Sequence, residues 1–388
     1  MRSSPATQSV PSSNHVYRFN EPIYVSRPLL PDLSLFANKL NHVWGSQWLT
    51  NKGPQHRLLE GELTDYLKVP YLSLFNNGTI ALIVACQSLR LSGEVITTPF
   101  TFPATPHVLS WNNIRPIFCD IDPRTMNIDA ERIESMITPQ TTAILAVHVF
   151  GTPCEVVKIQ EIADRYGLRI IYDAAHAFGV EIDGTGIGNF GDISMFSFHA
   201  TKLFHTAEGG ALSFAGKNLK ERVDLLKNFG IKNEDEVVMP GINGKLNELQ
   251  ALMGLSVLEL IEQEQAKRKT LQEVYKYCLE DVEGLSFLED LPGIKNSYQY
   301  FILRIDKKKF GISRDEVYRR FKDYNIFTRK YFYPLCSDYT CYKHLPSSAA
   351  DNLPVARKVV KEVLSLPFYG GLSCDDVENI CSILKSFR

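Results

Sequence analysis

A lysine amine attacks a carbonyl only when it is uncharged, and burial among apolar groups lowers a lysine pKa. Lys202 has that setting. It closes Phe196-Ser-Phe-His-Ala-Thr-Lys202, just after an apolar β-rich run, and Glu208-Gly-Gly210 follows. A second segment, Asp173-Ala-Ala-His176, ends a hydrophobic run with a carboxylate, which needs a partner if buried. A third, Phe75-Asn-Asn-Gly78-Thr79, opens an apolar helical run directly after a strand. Glycine lets the backbone approach a ligand, and free N–H groups at a helix start bind phosphate. Taken singly, each has an ordinary reading: a surface lysine, a structural ion pair, a helix cap. Taken together they meet the needs of pyridoxal phosphate chemistry. Lysine forms the Schiff base, the carboxylate keeps the pyridine nitrogen protonated, and the helix start anchors the phosphate.

Such groups must be carried to one place by the elements around them. From about Tyr71 to Phe214, short β-rich runs recur at Glu94–Thr98, Arg115–Asp120, Ala143–His148, Arg169–Asp173, Ile193–Ser197 and Gly210–Phe214. Helical patterns at Ala130–Ile137 and Val156–Tyr166 separate some of them. The alternation predicts an α/β domain with a mostly parallel sheet, whose ligands gather beyond the carboxyl ends of the strands. After Phe214 the texture changes. Leu246–Lys276 predicts one long charge-rich helix, Tyr298–Ile305 a strand, and Arg314–Tyr324 a helix. A last helix pair is expected over Leu353–Leu364 and Cys374–Ser386. The domain reading is a tail over 1–20, expected to be disordered, a large α/β domain over 21–245, and a connecting helix with a small α+β domain over 246–388.

Composition narrows the class. The chain has 388 residues, 42 Lys+Arg against 44 Asp+Glu, and 44% hydrophobic residues, as an ordinary globular protein has. A net charge of −2 offers no global case for nucleic acid or an anionic membrane. The run Lys307-Lys308-Lys309 reads as a solvated turn. The first twenty residues contain no apolar h-region, and no apolar run approaches a membrane span, so a cytoplasmic location is expected. The eight cysteines make no CxxC pair, which disfavours zinc; no metal is expected.

Further motifs carry a family resemblance from about Ile23 to the C-terminus. They are Ser46-Gln-Trp-Leu-Thr-Asn-Lys-Gly-Pro54, Asn77-Gly-Thr79, Thr98-Pro-Phe-Thr-Phe-Pro103, Asp173-Ala-Ala-His176, Ser197-Phe-His-Ala-Thr-Lys202, Glu208-Gly-Gly210 and Gly241-Ile-Asn-Gly-Lys-Leu-Asn247. In that order they resemble the DegT/DnrJ/EryC1/StrS sugar aminotransferases, which have the aspartate aminotransferase-like fold type I. The resemblance implies roles. Lys202 carries pyridoxal 5'-phosphate, and Asp173 pairs with the pyridine nitrogen. Phe102 stacks on the ring, and His176 lies near the phenolic oxygen. Gly78, Thr79 and Ser197 hold the phosphate. Asn243 reaches the phosphate of a neighbouring subunit, which implies a homodimer with shared sites. Arg329, Tyr331 and Tyr333 contact the nucleotide sugar. Many relatives have arginine at Lys245, so its role is left open, and His199 is read as a supporting residue. The sugar dehydratase branch replaces the Schiff-base lysine by histidine, and Lys202 argues against that branch.

The implied reaction moves an amino group from L-glutamate to dTDP-4-keto-6-deoxyglucose, giving a 4-amino-4,6-dideoxyglucose for surface polysaccharide (O-antigen). A 3-keto sugar aminotransferase remains an alternative. So does a catalytically silent homologue that binds cofactor as a regulator, although such a chain tends to lose the lysine or the aspartate.

Overall fold

A computed structural model describes residues 17–388. Residues 1–16 of the expected tail lie outside the described residues. From Tyr17 on the chain is fastened: the Tyr17 carbonyl accepts from Asn379, and Phe19 exchanges hydrogen bonds with Tyr324 and Asn325. A short strand, β1 (Ile23–Tyr24), follows. Two helices, α1 (Leu33–Ser46) and α2 (Pro54–Tyr66), then lead into the main sheet.

That sheet has seven strands: β2 (Tyr71–Phe75), β3 (Glu94–Thr97), β4 (Arg115–Phe118), β5 (Thr141–Val147), β6 (Arg169–Asp173), β7 (Ile193–Ser197) and β8 (Gly210–Phe214). Their order is β2-β8-β7-β6-β5-β3-β4. β8 runs antiparallel to both its neighbours, and the other pairings are parallel. The central strands are buried on both faces, which is why they read as continuous apolar runs rather than alternating ones.

Helices cover the two faces. On one lie α3 (Gly78–Ser88), α4 (Ala104–Trp111) and α6 (Lys217–Leu226), packed with Leu145, Ile171 and Leu212. On the other is α5 (Val156–Tyr166), which buries Val156, Ile159, Ile162 and Ala163 at helical spacing. It ends at Gly167, whose φ of 66° is the left-handed stop that glycine adopts without strain. The helix expected over Ala130–Ile137 is shorter, an α-turn over Ala130–Ile133 continued as a 3₁₀ turn.

The long helix expected over Leu246–Lys276 is two helices, α7 (Glu248–Leu258) and α8 (Ile261–Leu279). The joint tightens because the Leu260 N–H bonds the Val257 carbonyl three residues back. The bend serves packing. Ala251 and Val257 of α7 join the large core with Leu59 and Leu63 of α2. Leu271, Tyr275 and Leu279 of α8 join the C-terminal core.

The C-terminal unit has a sheet of β9 (Leu285–Phe287), β10 (Phe301–Ile305) and β12 (Val363–Leu366), with β11 (Ile326–Phe327) beside it. Its other helices are α9 (Arg314–Asp323) and α10 (Cys374–Lys385), the latter started by a capping box between Ser373 and Asp376. One expectation is corrected here. Leu353–Leu364 is not one helix: only Pro354–Val359 is helical, and Val363–Leu366 is a strand paired with Phe301–Arg304. The apolar Val363-Leu-Ser-Leu stretch is fully buried, and the ladder to β10 together with the paired bonds between Ser365 and Arg329 serves its backbone. Across the chain, β1 pairs parallel with β11. The N-terminal segment from Tyr17 to Tyr24 therefore sits with the C-terminal unit. Among the described residues, no helix is long and apolar enough to cross a membrane.

Candidate active site

Four loops leave the carboxyl ends of β2, β3, β6 and β7 on the same side of the sheet, and they meet in a cleft of about 280 Å³. Gly78, Thr79, Phe102, Asp173, His176, Ser197 and Lys202 all line it, as do Arg329 and Tyr331 from the C-terminal unit. Sequence positions spread over some 250 residues converge on one space.

The first wall is the start of α3. Asn77 caps it, its side chain accepting from the Ile80 N–H at 2.8 Å. Gly78 and Thr79, the next residues of this helix start, line the cleft together with Ser197. Space at Gly78 is tight: a Cβ there would lie 3.0 Å from the Met195 sulfur and 3.3 Å from Ser197 Cβ. Gly210, on the adjacent strand, is held to the same limit by Gly78, whose nitrogen would stand 2.7 Å from an added Cβ. A helix start whose first N–H groups lack intrahelical partners, placed at this wall, can cradle an anion.

The second wall is Asp173, buried at the end of β6. Its Oδ2 accepts from the Thr105 hydroxyl at 2.8 Å and its Oδ1 from the Ala175 N–H at 3.1 Å. Thr101 lies 2.8 Å from the Thr105 oxygen. Because the Thr105 proton is committed to the carboxylate, Thr101 is the donor in that pair, and the order is Thr101 to Thr105 to Asp173. Burial pushes the Asp173 carboxyl up, and the bonds from Ala175 and Thr105 and the charge of Lys202 only partly oppose it. A buried carboxylate with this tendency gains most from a cationic partner.

Lys202 is the third. Burial lowers its pKa, partly offset by Tyr331 and Asp173. Its Nζ approaches the Tyr300 hydroxyl at 3.5 Å. Burial also holds His176 far below its ordinary value, with Lys202 acting the same way. The His176 ring is neutral, and its Nδ1 accepts from the Phe150 N–H at 3.2 Å. The proton therefore sits on Nε2, which leaves a donor. Phe150 and Phe332 lie parallel to this ring, with centroids 6.1 and 5.8 Å away.

Phe102 is not a core residue: it is 54% exposed at the cleft. This set fits pyridoxal phosphate. There is an anion cradle at one end, a buried carboxylate at the other, a desolvated amine between them, and an aromatic face left open.

Two expected residues lie elsewhere. Tyr333 does not line the cleft; it faces the cations Arg314 and Lys330, at 5.6 and 5.0 Å from its ring. Asn243 is exposed outside this cleft, in a backbone bridge with Asn228. Lys245, close by, donates to Asn228 Oδ1 at 2.7 Å. His199 lines the cleft mouth and bonds Thr201. Sequence reasoning missed Thr105, Gln299 and Tyr300. Thr105 meets Asp173 from 68 positions away, which no spacing rule reveals. Gln299 and Tyr300 were visible only as part of a strand-like run.

Comparison with known proteins agrees with this geometry. Residues 34–385 match the DegT/DnrJ/EryC1/StrS aminotransferase family. A dTDP-4-amino-4,6-dideoxy-D-glucose transaminase from Escherichia coli is 45% identical over 365 residues, 93% of this chain and 98% of that protein. The transaminase of the same name from Shigella dysenteriae is 44% identical, over 95% of this chain and the whole of that one. Among solved structures, DesI in the presence of its TDP-sugar product superposes with a TM-score of 0.91 at 34% identity, covering 95% of this chain and 94% of that one. Near-complete coverage in sequence and in fold, around a cleft with these groups, leads to one conclusion: this chain belongs to the DegT/DnrJ/EryC1/StrS aminotransferase family.

Proposed function

We propose that this enzyme transfers the amino group of L-glutamate to the C4 ketone of dTDP-4-keto-6-deoxy-D-glucose, giving dTDP-4-amino-4,6-dideoxy-D-glucose for surface polysaccharide. The observation that carries the reaction class is the meeting of Lys202, Asp173 and the α3 start in one cleft. The choice of sugar is supported by the two transaminases at 45% and 44% identity.

Pyridoxal phosphate supplies the electron sink and carries the amino group between the two substrates. The residues do the rest. The N–H groups of Gly78 and Thr79, with Ser197, hold its phosphate. Asp173 holds a proton on the pyridine nitrogen through Coulomb attraction and a charge-assisted hydrogen bond. Phe102 covers a ring face, and His176 donates from Nε2 to the phenolic oxygen. Lys202, released as a free amine, would move a proton from the glutamate Cα to the cofactor's C4′ in the first half-reaction. In the second it would move one from C4′ to C4 of the sugar. Its lowered pKa keeps more of the amine in the basic form. Arg329 and Tyr331 contact the nucleotide sugar; Arg329 lies over the Tyr331 ring at 5.3 Å.

The reading includes a homodimer, with Asn243 completing the partner's phosphate site, and a cytoplasmic location. Exposed Trp44, Trp48, Leu49, Leu58 and Leu249 on and around α1, α2 and α7 support an interface there. The deciding experiment offers the purified enzyme dTDP-4-keto-6-deoxy-D-glucose with glutamate and locates the new amine by NMR. An amine on C4 is expected. No product, together with turnover of the 3-keto isomer, replaces the sugar and leaves the aminotransferase.

A further inference from the structure

Lys202 sits on the loop between β7 and β8. Within that loop its own N–H donates to the His199 carbonyl at 2.8 Å. The loop is also gripped from outside. Gln299, buried to 4% exposure, lies just before β10 and sends its side chain across to the large sheet. Its Oε1 accepts from the Leu203 N–H at 2.9 Å, and its Nε2 donates to the Thr201 carbonyl at 3.3 Å. The two bonds fall on the residues immediately before and after Lys202. One amide orientation satisfies both, since one partner is a donor and the other an acceptor.

The grip has its own anchor. Arg268 of α8 donates to the Gln299 carbonyl at 3.4 Å and to Glu264 at 2.6 Å. Glu264 in turn accepts from the Gly370 N–H at 2.8 Å. Arg268 and Glu264 are 3% and 5% exposed, so this is a buried, hydrogen-bonded ion pair rather than a surface contact. The next residue, Tyr300, brings its hydroxyl to Lys202 Nζ.

We propose that Gln299 is a positioning residue for Lys202: its amide bridges the backbone on both sides of the lysine and sets where Nζ stands, from a support in the C-terminal unit. The proposal rests on the reading of Lys202 as the amine that meets the cofactor. The lysine must serve two directions, toward the cofactor and toward the substrate carbon. A loop held at both flanks keeps its backbone fixed while the side chain moves.

The test uses the full-length holoenzyme and two variants, with three readouts. These are amide hydrogen exchange at Leu203, the midpoint of the pH titration of the bound cofactor's visible absorbance, and kcat against KM. Gln299→Leu removes both bonds at similar volume. Exchange at Leu203 is expected to rise about tenfold or more, as an amide losing a buried acceptor does. The absorbance midpoint should move, and kcat should fall about tenfold with KM for the sugar unchanged.

Gln299→Glu keeps the acceptor for Leu203 and loses the donor to Thr201. Leu203 should stay protected while kcat falls. As pH is lowered the carboxyl regains an O–H, which can donate to the Thr201 carbonyl, and the deficit relative to wild type should narrow. Wild-type exchange and an unmoved absorbance midpoint in Gln299→Leu overturn the proposal, whatever its activity. If Gln299→Leu does not fold, a Gln299→Glu deficit that stays constant with pH overturns it. The exchange and absorbance readouts need no turnover, so a wrong sugar leaves both responses in place without a kcat effect, whereas a wrong role for Lys202 shows as altered exchange without a cofactor signal.

Discussion

Replacing Thr105 by valine isolates the contribution of one hydroxyl to the chemistry of Asp173. The two side chains have nearly the same shape, and Thr105 is fully buried, so the change removes a donor and little volume. In the native site that donor stands 2.8 Å from Asp173 Oδ2. A hydrogen bond to a charged group contributes about 1.5–3 kcal/mol, and each 1.4 kcal/mol is roughly tenfold in rate. Burial already pushes the Asp173 carboxyl up, and the Thr105 bond is among the forces that oppose it. Without that bond the carboxyl rises further and holds a proton on the pyridine nitrogen less firmly. The glutamate half-reaction of Thr105→Val, followed by stopped-flow absorbance, should slow by about 10- to 100-fold. The acid limb of its pH–rate profile should move to higher pH. Thr105→Ser, which keeps the hydroxyl, should recover most of the rate. Wild-type turnover and an unmoved acid limb in Thr105→Val would refute the argument that this bond tunes the carboxylate.

Two further outcomes are expected. If Asn243 completes a partner's site, mixing Lys202→Ala with Asn243→Ala subunits should restore activity, because a mixed dimer contains one intact site; subunit exchange shown by labelling without recovered activity refutes this. Stability should also fall on acidification before the carboxylates titrate. Burial, helped at His56 by nearby lysines, holds His56 and His148 at about 3, so both stay neutral in the fold. The unfolded chain takes up those protons below an ordinary value near 6.5, so the stabilisation is present above that pH and lost below it. Urea unfolding from pH 7 to 5 should approach a slope of about 1.4 kcal/mol per pH unit for each such histidine, and a flat profile contradicts it.

The sheet and the chemical groups were legible for the same reason. Strands buried on both faces write continuous apolar runs, and in a parallel sheet the residues that follow them are the ones presented to a ligand. Lys202, Asp173 and Gly78 each follow such a run. What stayed hidden depends on contacts between distant segments. The break between α7 and α8 has no proline or glycine; it exists because Val257 and Leu271 belong to different cores. Val363–Leu366 follows directly on a helical pattern, and only its pairing with β10 makes it a strand. Thr105 and Gln299 are ordinary residues until Asp173 and the Lys202 loop are brought against them. Tyr333 shared its segment with Arg329 and Tyr331, yet the segment turns so that Tyr333 meets Arg314 instead.

The pairing of β1 with β11 matters to how the protein is made. Ile23 lies opposite Ile326, so the C-terminal unit takes one of its strands from a segment about 300 residues earlier in the chain. During synthesis the strands of the large sheet leave the ribosome within a span of about 145 residues, and can pair as soon as β8 emerges. The smaller unit must wait until β11, about 300 residues after β1, has been translated before that strand finds its partner. Until then β1 has no partner strand, and the loop closed by that contact is among the longest the fold requires. A tag or truncation that obstructs Ile23 and Tyr24 would therefore act far from its own position in sequence, by delaying or loosening the unit that supplies Arg329, Tyr331 and the support behind Lys202.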